Sequence, residues 1–461
     1  MKTITFNKGV SFLLAFFFLF ILSASAQQQT QNSNSTKKKK KTEKKEEQVK
    51  KGWNLGALPV ISFDSDLGFQ YGALMNLYNY GNGKDYPNYR QSLYMEVSQF
   101  TKKSGIYRVN YNTKDLVKGM RVYFDLSYMP DQAYNFYGFN GYDAFYNASL
   151  ITDGDPAYLT RVYYKYQRKF FRFKIDVQGN FKSNKKFHWD AGIGLYNMKV
   201  APADITLLNK GKTNNLLPDV PGLYQKYIDW NIIPQSEKNG GTFTVFKAGL
   251  EYDSRDNEAN PNKGVWTEVV LAAAPRFASN MADGFMKLSI THREYFTLIK
   301  NKLLFDYRVG AQINLSGHTP FYALPLIFYA RSTSAYNEGL GGSGTLRGIL
   351  RNRVIGDGVL YGNFEIRWRA YSFRFINQNF YMGLVGFFDS GTVIQKVKFS
   401  LPSSPSWNSY LPNKSDGLHN SLGLGFIIAM NENFIISVNH GQAMNAQDGT
   451  SGTYVGLNYM F

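Results

Sequence analysis

Cysteine is absent from all 461 residues. That excludes disulfides, thiolate metal sites, cysteine nucleophiles and lipoprotein processing. Histidine is scarce: His188, His292, His318, His419 and His440 form no HExxH or other ligand spacing, so no zinc site is expected. No G-x-S-x-G elbow, P-loop or dinucleotide fingerprint occurs, and Asp153-Gly154-Asp155 lacks the ligand series of a calcium loop and reads as turn chemistry. Neither catalysis nor a cofactor is therefore expected. Long apolar runs are missing too. Beyond the first 26 residues none approaches the roughly 18 positions of a membrane helix, so a mature chain that crosses a membrane must do so with strands.

The amino-terminal segment sets the expected compartment. Lys2 and Lys8 precede the apolar run Val10 to Leu22, and Ala24-Ser25-Ala26 gives a small-x-small cleavage site. This is the pattern of a cleaved signal peptide over residues 1–26. The formal charge of +18 suggests nucleic acid until it is located. Two signal lysines and residues 37–51, with nine Lys against Glu43, Glu46 and Glu47, account for eight of those charges. Residues 27–51 have no apolar core and read as a disordered, lysine-rich periplasmic linker. An exported protein meets no chromosome, and no nucleic-acid partner is expected. Anionic lipid or a separate periplasmic protein is a fitting partner for the linker.

What is abundant is aromatic and glycine: 33 Tyr, 36 Phe and 42 Gly, with a mean hydropathy of −0.33. A barrel with a polar lumen and aromatic girdles has this composition. From Gly52 onward, apolar and polar residues alternate over stretches of about ten, the period of strands. In Met120 to Tyr128 one face is apolar while the other carries Arg121, Tyr123, Asp125 and Ser127; Phe171 to Gln178 and Leu303 to Ile313 repeat the pattern. Charges on the second face cannot sit in the core of a sandwich, but they suit a watery lumen.

Strands are expected near 53–63, 67–79, 91–101, 105–114, 118–129, 159–181, 186–199, 242–254, 263–274, 284–297, 302–315, 358–372, 379–391, 420–430, 432–440 and 452–461. The fold class is all-β: a 16-stranded antiparallel transmembrane β-barrel over residues 52–461 with both termini in the periplasm. On that parity the long connections 130–158, 200–241, 316–357 and 392–419 are external. The third of them contains Gly341-Gly342-Ser343-Gly344-Thr345-Leu346-Arg347-Gly348, an arginine set among glycines. Such a stretch folds tightly and can drive a guanidinium into a confined place.

That stretch resembles the "[VL]RG[YFI]" loop signature of the outer-membrane assembly-factor superfamily, which includes the BamA and TamA barrels and the two-partner secretion transporters. Other segments agree in order and spacing. Asp253, Arg255 and Asp256 with Pro261-Asn262-Lys263-Gly264 resemble the family's periplasmic turn, Glu365-Ile366-Arg367 its "ExR" strand, and Phe387-Phe388-Asp389-Ser390-Gly391 its "FxDxG" strand. The resemblance implies that the loop carrying Gly341, Gly342, Leu346 and Gly348 folds inward and that Arg347 meets Asp389, with Glu365 nearby. By alternation Asp389 shares a face with Val385 and Phe387, opposite Leu384 and Phe388. Val455, Leu457, Tyr459 and Phe461 alternate on one face and resemble the family's terminal recognition strand.

In function the resemblance implies insertion or translocation of proteins, or of lipids, at the outer membrane. The mechanism would be a weakly closed seam between first and last strands at which a client strand pairs by edge addition. The implied partners are outer-membrane lipid, client outer-membrane proteins and a separate periplasmic partner, because residues 27–51 leave no room for the family's periplasmic POTRA domains. The alternative is a passive channel or surface structural protein with the same fold.

Overall fold

The computed structural model describes residues 51–84, 89–258, 260–331, 338–375, 378–400, 410–411, 415–430 and 434–461. The expected signal peptide, and all of the lysine-rich linker but Lys51, lie outside them. Internal contacts divide the chain in two: residues 1–48 with Arg374–Asn379, of which only strand ends at 374–375 and 378–379 are described, and residues 49–373 with 380–461, which build the barrel.

Sixteen antiparallel strands among the described residues close on themselves. They are β1 (Trp53–Asp64), β2 (Gly68–Asn79), β3 (Gln91–Phe100), β4 (Gly105–Thr113), β5 (Met120–Asn135), β6 (Lys165–Phe181), β7 (Asn184–Pro202) and β8 (Gly240–Asp253). The second half has β9 (Gly264–Ala274), β10 (Phe285–Ile299), β11 (Leu303–Gly317), β12 (Gly358–Phe375), β13 (Gln378–Gln395), β14 (His419–Met430), β15 (Phe434–Ala443) and β16 (Ser451–Leu457). Each strand pairs with its sequence neighbours, and β1 pairs with β16. The strand count and fold class agree with the alternation of the sequence.

Parity decides which side chain goes where. On β5, Asp125 and Ser127 are buried while Leu126 and Tyr128 are exposed. Asp125 is held by Arg108 of β4 (Nη2–Oδ2 2.6 Å) and Arg172 of β6 (Nη2–Oδ1 3.0 Å). The charged face thus lines the lumen in cross-strand ion pairs, and the apolar face forms the outer wall. The aromatics Trp53, Phe187, Phe296, Trp368 and Tyr371 are exposed at the end of the barrel that carries the termini, where a girdle belongs.

Two departures from the expected boundaries matter. Strand β6 starts at Lys165 rather than near 159, because Thr160 to Tyr164 belong to a cap over the opposite end. There the long connections pack into one aromatic core: Phe136, Phe139, Tyr163 and Tyr164 meet the helix α2 (Leu223–Asp229, which follows the short α1, Ile205–Asn209) through Tyr224 and Tyr227, and Phe321 and Leu411 join them. Secondly, β16 ends at Leu457, not Phe461. Asn458 takes a left-handed φ of 68° and turns the last residues off the wall. The expected single face from Val455 to Phe461 is therefore broken after Leu457.

The cap carries a titratable strut. His318 Nε2 lies 2.6 Å from Glu237 Oε1, and Glu237 Oε2 accepts from the Phe321 backbone N–H at 2.8 Å. The hydrogen bond to Glu237 raises the His318 pKa above its ordinary value. A raised folded-state pKa contributes stability that is complete below about pH 6.5 and is lost as pH rises through the folded value. Amide exchange over residues 318–324, corrected for intrinsic rate, should be slower at pH 6 than at pH 8, and His318→Gln should abolish the difference. Equal protection at both pH values would show the strut to be inert.

Candidate functional site

The third long loop does not stand outside the barrel; it enters the lumen. From β11 it descends along the wall of β8 and β9, where Lys247 Nζ donates to the Tyr329 carbonyl at 3.0 Å and the Ala330 N–H donates to Glu268 Oε2 at 2.8 Å. Among the described residues Arg331 goes furthest, pairing with Glu251 at 3.1 Å and coming within 3.9 Å of Asp253 at the end of β8. Residues 332–337 lie outside the described set. The loop resumes at Glu338, which takes a two-pronged bond from Arg168 of β6 (2.7 and 3.0 Å).

The glycine-rich stretch then packs against the wall of β12 to β16. Gly341, Gly342 and Gly348 have φ of 114°, 82° and 89°, values that other residues adopt only with strain. Gly348 also lies against the backbone of β15: a Cβ there would fall 2.4 Å from the carbonyl carbon of Gly441, and one on Gly441 would fall 2.6 Å from the Arg347 carbonyl oxygen. Two glycines facing each other let loop and strand touch backbone to backbone. Leu346, fully buried, packs with Leu340, Ile349, Val354, Val359 and Tyr361 as a small apolar core inside the lumen.

That docking fixes Arg347. Its Nε and Nη2 donate to Asp389 Oδ2 and Oδ1, both at 2.9 Å, its backbone N–H donates to Oδ2 at 3.0 Å, and Nη1 donates to Glu365 Oε1 at 2.6 Å. Its guanidinium carbon sits 3.6 Å from the centroid of the Phe387 ring. The three residues singled out in the sequence are thus brought together, and Arg347 is 2 % exposed and Asp389 0 %. An arginine fork on a carboxylate, with an aromatic face beneath it, is the arrangement in which lysine is no substitute.

Of the surrounding shell the sequence singled out Arg367, as part of the Glu365-Ile366-Arg367 motif, but not Asn363, Arg308 or Asp306. Asn363 Nδ2 donates to Asp389 Oδ1 (2.9 Å) and to the Thr345 carbonyl (2.6 Å), while Arg308 Nε donates to Asn363 Oδ1 (2.8 Å). Arg367 joins Glu365 (2.7 Å) to Asp306 (2.9 Å). The cluster therefore sets Arg308, Arg347 and Arg367 against Asp306, Glu365 and Asp389, three charges of each sign. Asn363, Glu365 and Arg367 alternate on β12, so parity alone could have put all three in the lumen. Gly441 had no such signal.

The chain terminus joins the same cluster. Tyr459 hydroxyl lies 2.8 Å from Tyr381 hydroxyl, with the Arg367 guanidinium 3.8 Å from the Tyr459 ring centroid; Arg367 Nη2 donates to the Phe461 carbonyl at 3.3 Å. Val455 and Leu457 stay in the wall. Asp253, Arg255, Asp256 and Gly264 form a separate site at the terminal end. Arg255 grips Asp253 (3.0 and 2.6 Å) and stacks 4.0 Å from the Trp266 ring centroid; Asp256 Oδ1 accepts from the Asn262 N–H at 2.8 Å; Gly264 has φ 109°. Arg331 links this turn to the loop.

A barrel of sixteen strands, filled by a loop whose arginine is forked on a β13 aspartate, invites comparison with known proteins. Residues 109–460 match the family model described as the Omp85 superfamily domain. The chain belongs to the Omp85 superfamily. Its outer-membrane location follows from that membership, and the loop end of the barrel is accordingly external and the terminal end periplasmic. Two solved structures are similar in fold. BamA from Haemophilus ducreyi lacking POTRA domains 1–3 matches with a TM-score of 0.51 at 13 % identity, over 89 % of this chain and 70 % of that one. CdiB from Escherichia coli matches with a TM-score of 0.54 at 10 % identity, over 88 % of this chain and 62 % of that one. No curated protein matches the chain.

The remaining feature of this Omp85 barrel is its seam. Strand β1 is laddered to β2 along its whole length, from Trp53↔Asn79 to Asp64↔Gly68, but to β16 only at Phe63↔Val455 and Asp64↔Tyr454. Just beyond, Ser65 N–H donates to the Thr453 carbonyl at 3.1 Å and Thr453 N–H donates to Ser65 Oγ at 2.7 Å.

Proposed function

We propose that this barrel inserts client proteins into the outer membrane through the β1–β16 seam. The observation that carries the reading is the brevity of that ladder. Each backbone hydrogen bond contributes only about 1 kcal/mol net in water, so the short external seam opens far more readily than any other strand pair, and an opened β1 edge accepts a client strand by augmentation. The loop argues against a passive channel: it packs into the lumen and is ion-paired to the wall at β8 through Arg331 and at β12 and β13 through Arg347. The reading assigns no catalytic chemistry to the lumen charges. Outer-membrane lipid is the medium of the reaction, and the lysine-rich segment recruits a separate periplasmic partner that delivers clients.

The absence of native cysteine makes the test direct. Depleting the protein should lower a particular set of outer-membrane proteins in comparative proteomics. The wild type should restore them, and Phe63→Cys/Val455→Cys should restore them only when its seam disulfide is reduced. Unchanged levels of other barrels, together with ion conductance in planar bilayers, would establish the channel instead.

A further inference from the structure

The loop that fills the lumen also bridges the seam. On the side of the last strands, beyond the Arg347 fork, Gly348 N–H donates to the Tyr454 hydroxyl of β16 at 3.3 Å. Leu350 N–H donates to the Asp448 carbonyl at 2.9 Å and Arg353 Nε to the Gln447 carbonyl at 2.6 Å, both in the β15–β16 connection. On the side of the first strands Arg353 Nη1 and Nη2 donate to the Gly141 and Ala144 carbonyls of the β5–β6 connection at 2.9 and 3.0 Å, and Arg351 alone reaches the β1–β2 turn. Arg351 N–H donates to Asp66 Oδ1 in the β1–β2 turn at 3.2 Å, and Arg351 Nη1 donates to Asp131 Oδ2 of β5 at 3.1 Å. Arg351 Nη2 lies 3.5 Å from Glu338, itself forked on Arg168 of β6, and the Arg351 guanidinium carbon is 4.9 Å from the Tyr134 ring centroid. Within a few residues the chain therefore grips both sides of a junction that its own strands barely close.

We propose that Arg351 is a positioning residue for the seam: residues 347–353 form a clasp, fixed to the last strands by Arg347 and clipped to the β1–β2 turn by Arg351, and release of the Arg351 clip sets when β1 parts from β16. The two ends of the clasp differ in bond length. Arg347 makes four bonds of 2.6 to 3.0 Å to its carboxylates, whereas the contacts of Arg351 to Asp66, Asp131 and Glu338 run from 3.1 to 3.5 Å. Longer charge-assisted bonds are weaker. On opening, the loop stays with β12 to β16 and, through Glu338–Arg168 and Arg353, with the β5–β6 side, while the β1–β2 turn leaves.

The inference rests on seam opening as the proposed working motion, and its test needs no client. Hydrogen exchange is followed on the purified full-length barrel in lipid nanodiscs, over peptides covering Ser62–Asp66 and Ser451–Leu457, with β6–β7 peptides as the measure of an intact fold. Arg351→Ala and Asp66→Ala should each speed seam exchange about tenfold, the equivalent of about 1.4 kcal/mol, and leave β6–β7 unchanged. Asp66→Asn, which keeps an acceptor for the Arg351 N–H, should stay within about twofold of wild type, a few tenths of a kcal/mol. Wild-type seam exchange in Arg351→Ala overturns the clasp. So does uniform acceleration in seam and β6–β7 alike, which would make Arg351 an ordinary stability element. Loss of client insertion plays no part in either outcome, so the clasp can fail while the insertion reading stands, and the reverse.

Discussion

Arg347→Ala and Asp389→Ala should each cost roughly 3–5 kcal/mol, with the double variant no less stable than either single. The magnitude follows from what each change strands. Removing the guanidinium leaves Asp389 and Glu365 buried in the lumen wall, with Asn363 and the residue-347 N–H as the remaining donors to Asp389. Removing the carboxylate leaves a buried guanidinium with Glu365 and the Phe387 face. The second deletion then removes a charge that has already lost its partner, which is why the losses should not add. Arg347→Lys keeps the charge but gives up the fork, and most of the cost should persist. The measurement is unfolding in urea, followed by the gel mobility shift between folded and unfolded barrel. Strictly additive losses would dissolve the coupling.

Gly348→Ala should be nearly as damaging although it adds one methyl group. Left-handed backbone costs a non-glycine residue roughly 1–2 kcal/mol, and forcing atoms into a packed site costs about 1–3 more. The new Cβ would stand 2.4 Å from a carbonyl carbon and 2.7 Å from a backbone nitrogen of β15, neither of which can swing aside. Gly441→Ala drives into the Arg347 carbonyl from the other side and should have a similar effect. Gly344, four residues earlier, is the control: a Cβ there meets nothing within 4 Å, so Gly344→Ala should stay within about 0.5 kcal/mol of wild type. Protease sensitivity of the loop, read alongside unfolding, separates undocking from general loss of fold. If the three alanines behave alike, backbone contact with β15 is not what seats the loop.

Periodicity made most of the wall legible. A period of two specifies at once that a segment is a strand and which face it turns to water, so β5, with Asp125 and Ser127 inward, could be read directly. The same parity put Asp389 beside Val385 and Phe387. It did not say why a carboxylate shares a face with apolar residues; the guanidinium resting on Phe387 supplies the reason. Pairings between loop and wall were another matter. Arg351 with Asp66 and Asp131, Arg168 with Glu338, and Gly348 with Gly441 join residues far apart in sequence whose types are common everywhere on the chain. The terminal turn was hidden for a different cause. Alternation persists through Tyr459 and Phe461, yet one left-handed residue, Asn458, redirects both side chains into the lumen.

Strand length also acts on the membrane around the barrel. At about 3.4 Å per residue and a tilt near 40°, the 7 residues of β16 rise roughly 18 Å along the bilayer normal, and the 19 of β7 nearly 50 Å. The hydrocarbon layer is about 30 Å thick. Acyl chains bordering β7 meet a wall taller than themselves, whereas those bordering β16 must compress or tilt to cover one that is too short, at a fraction of a kcal/mol per Å of mismatch. A mismatch of this sign thins the bilayer beside β16 and not beside β7.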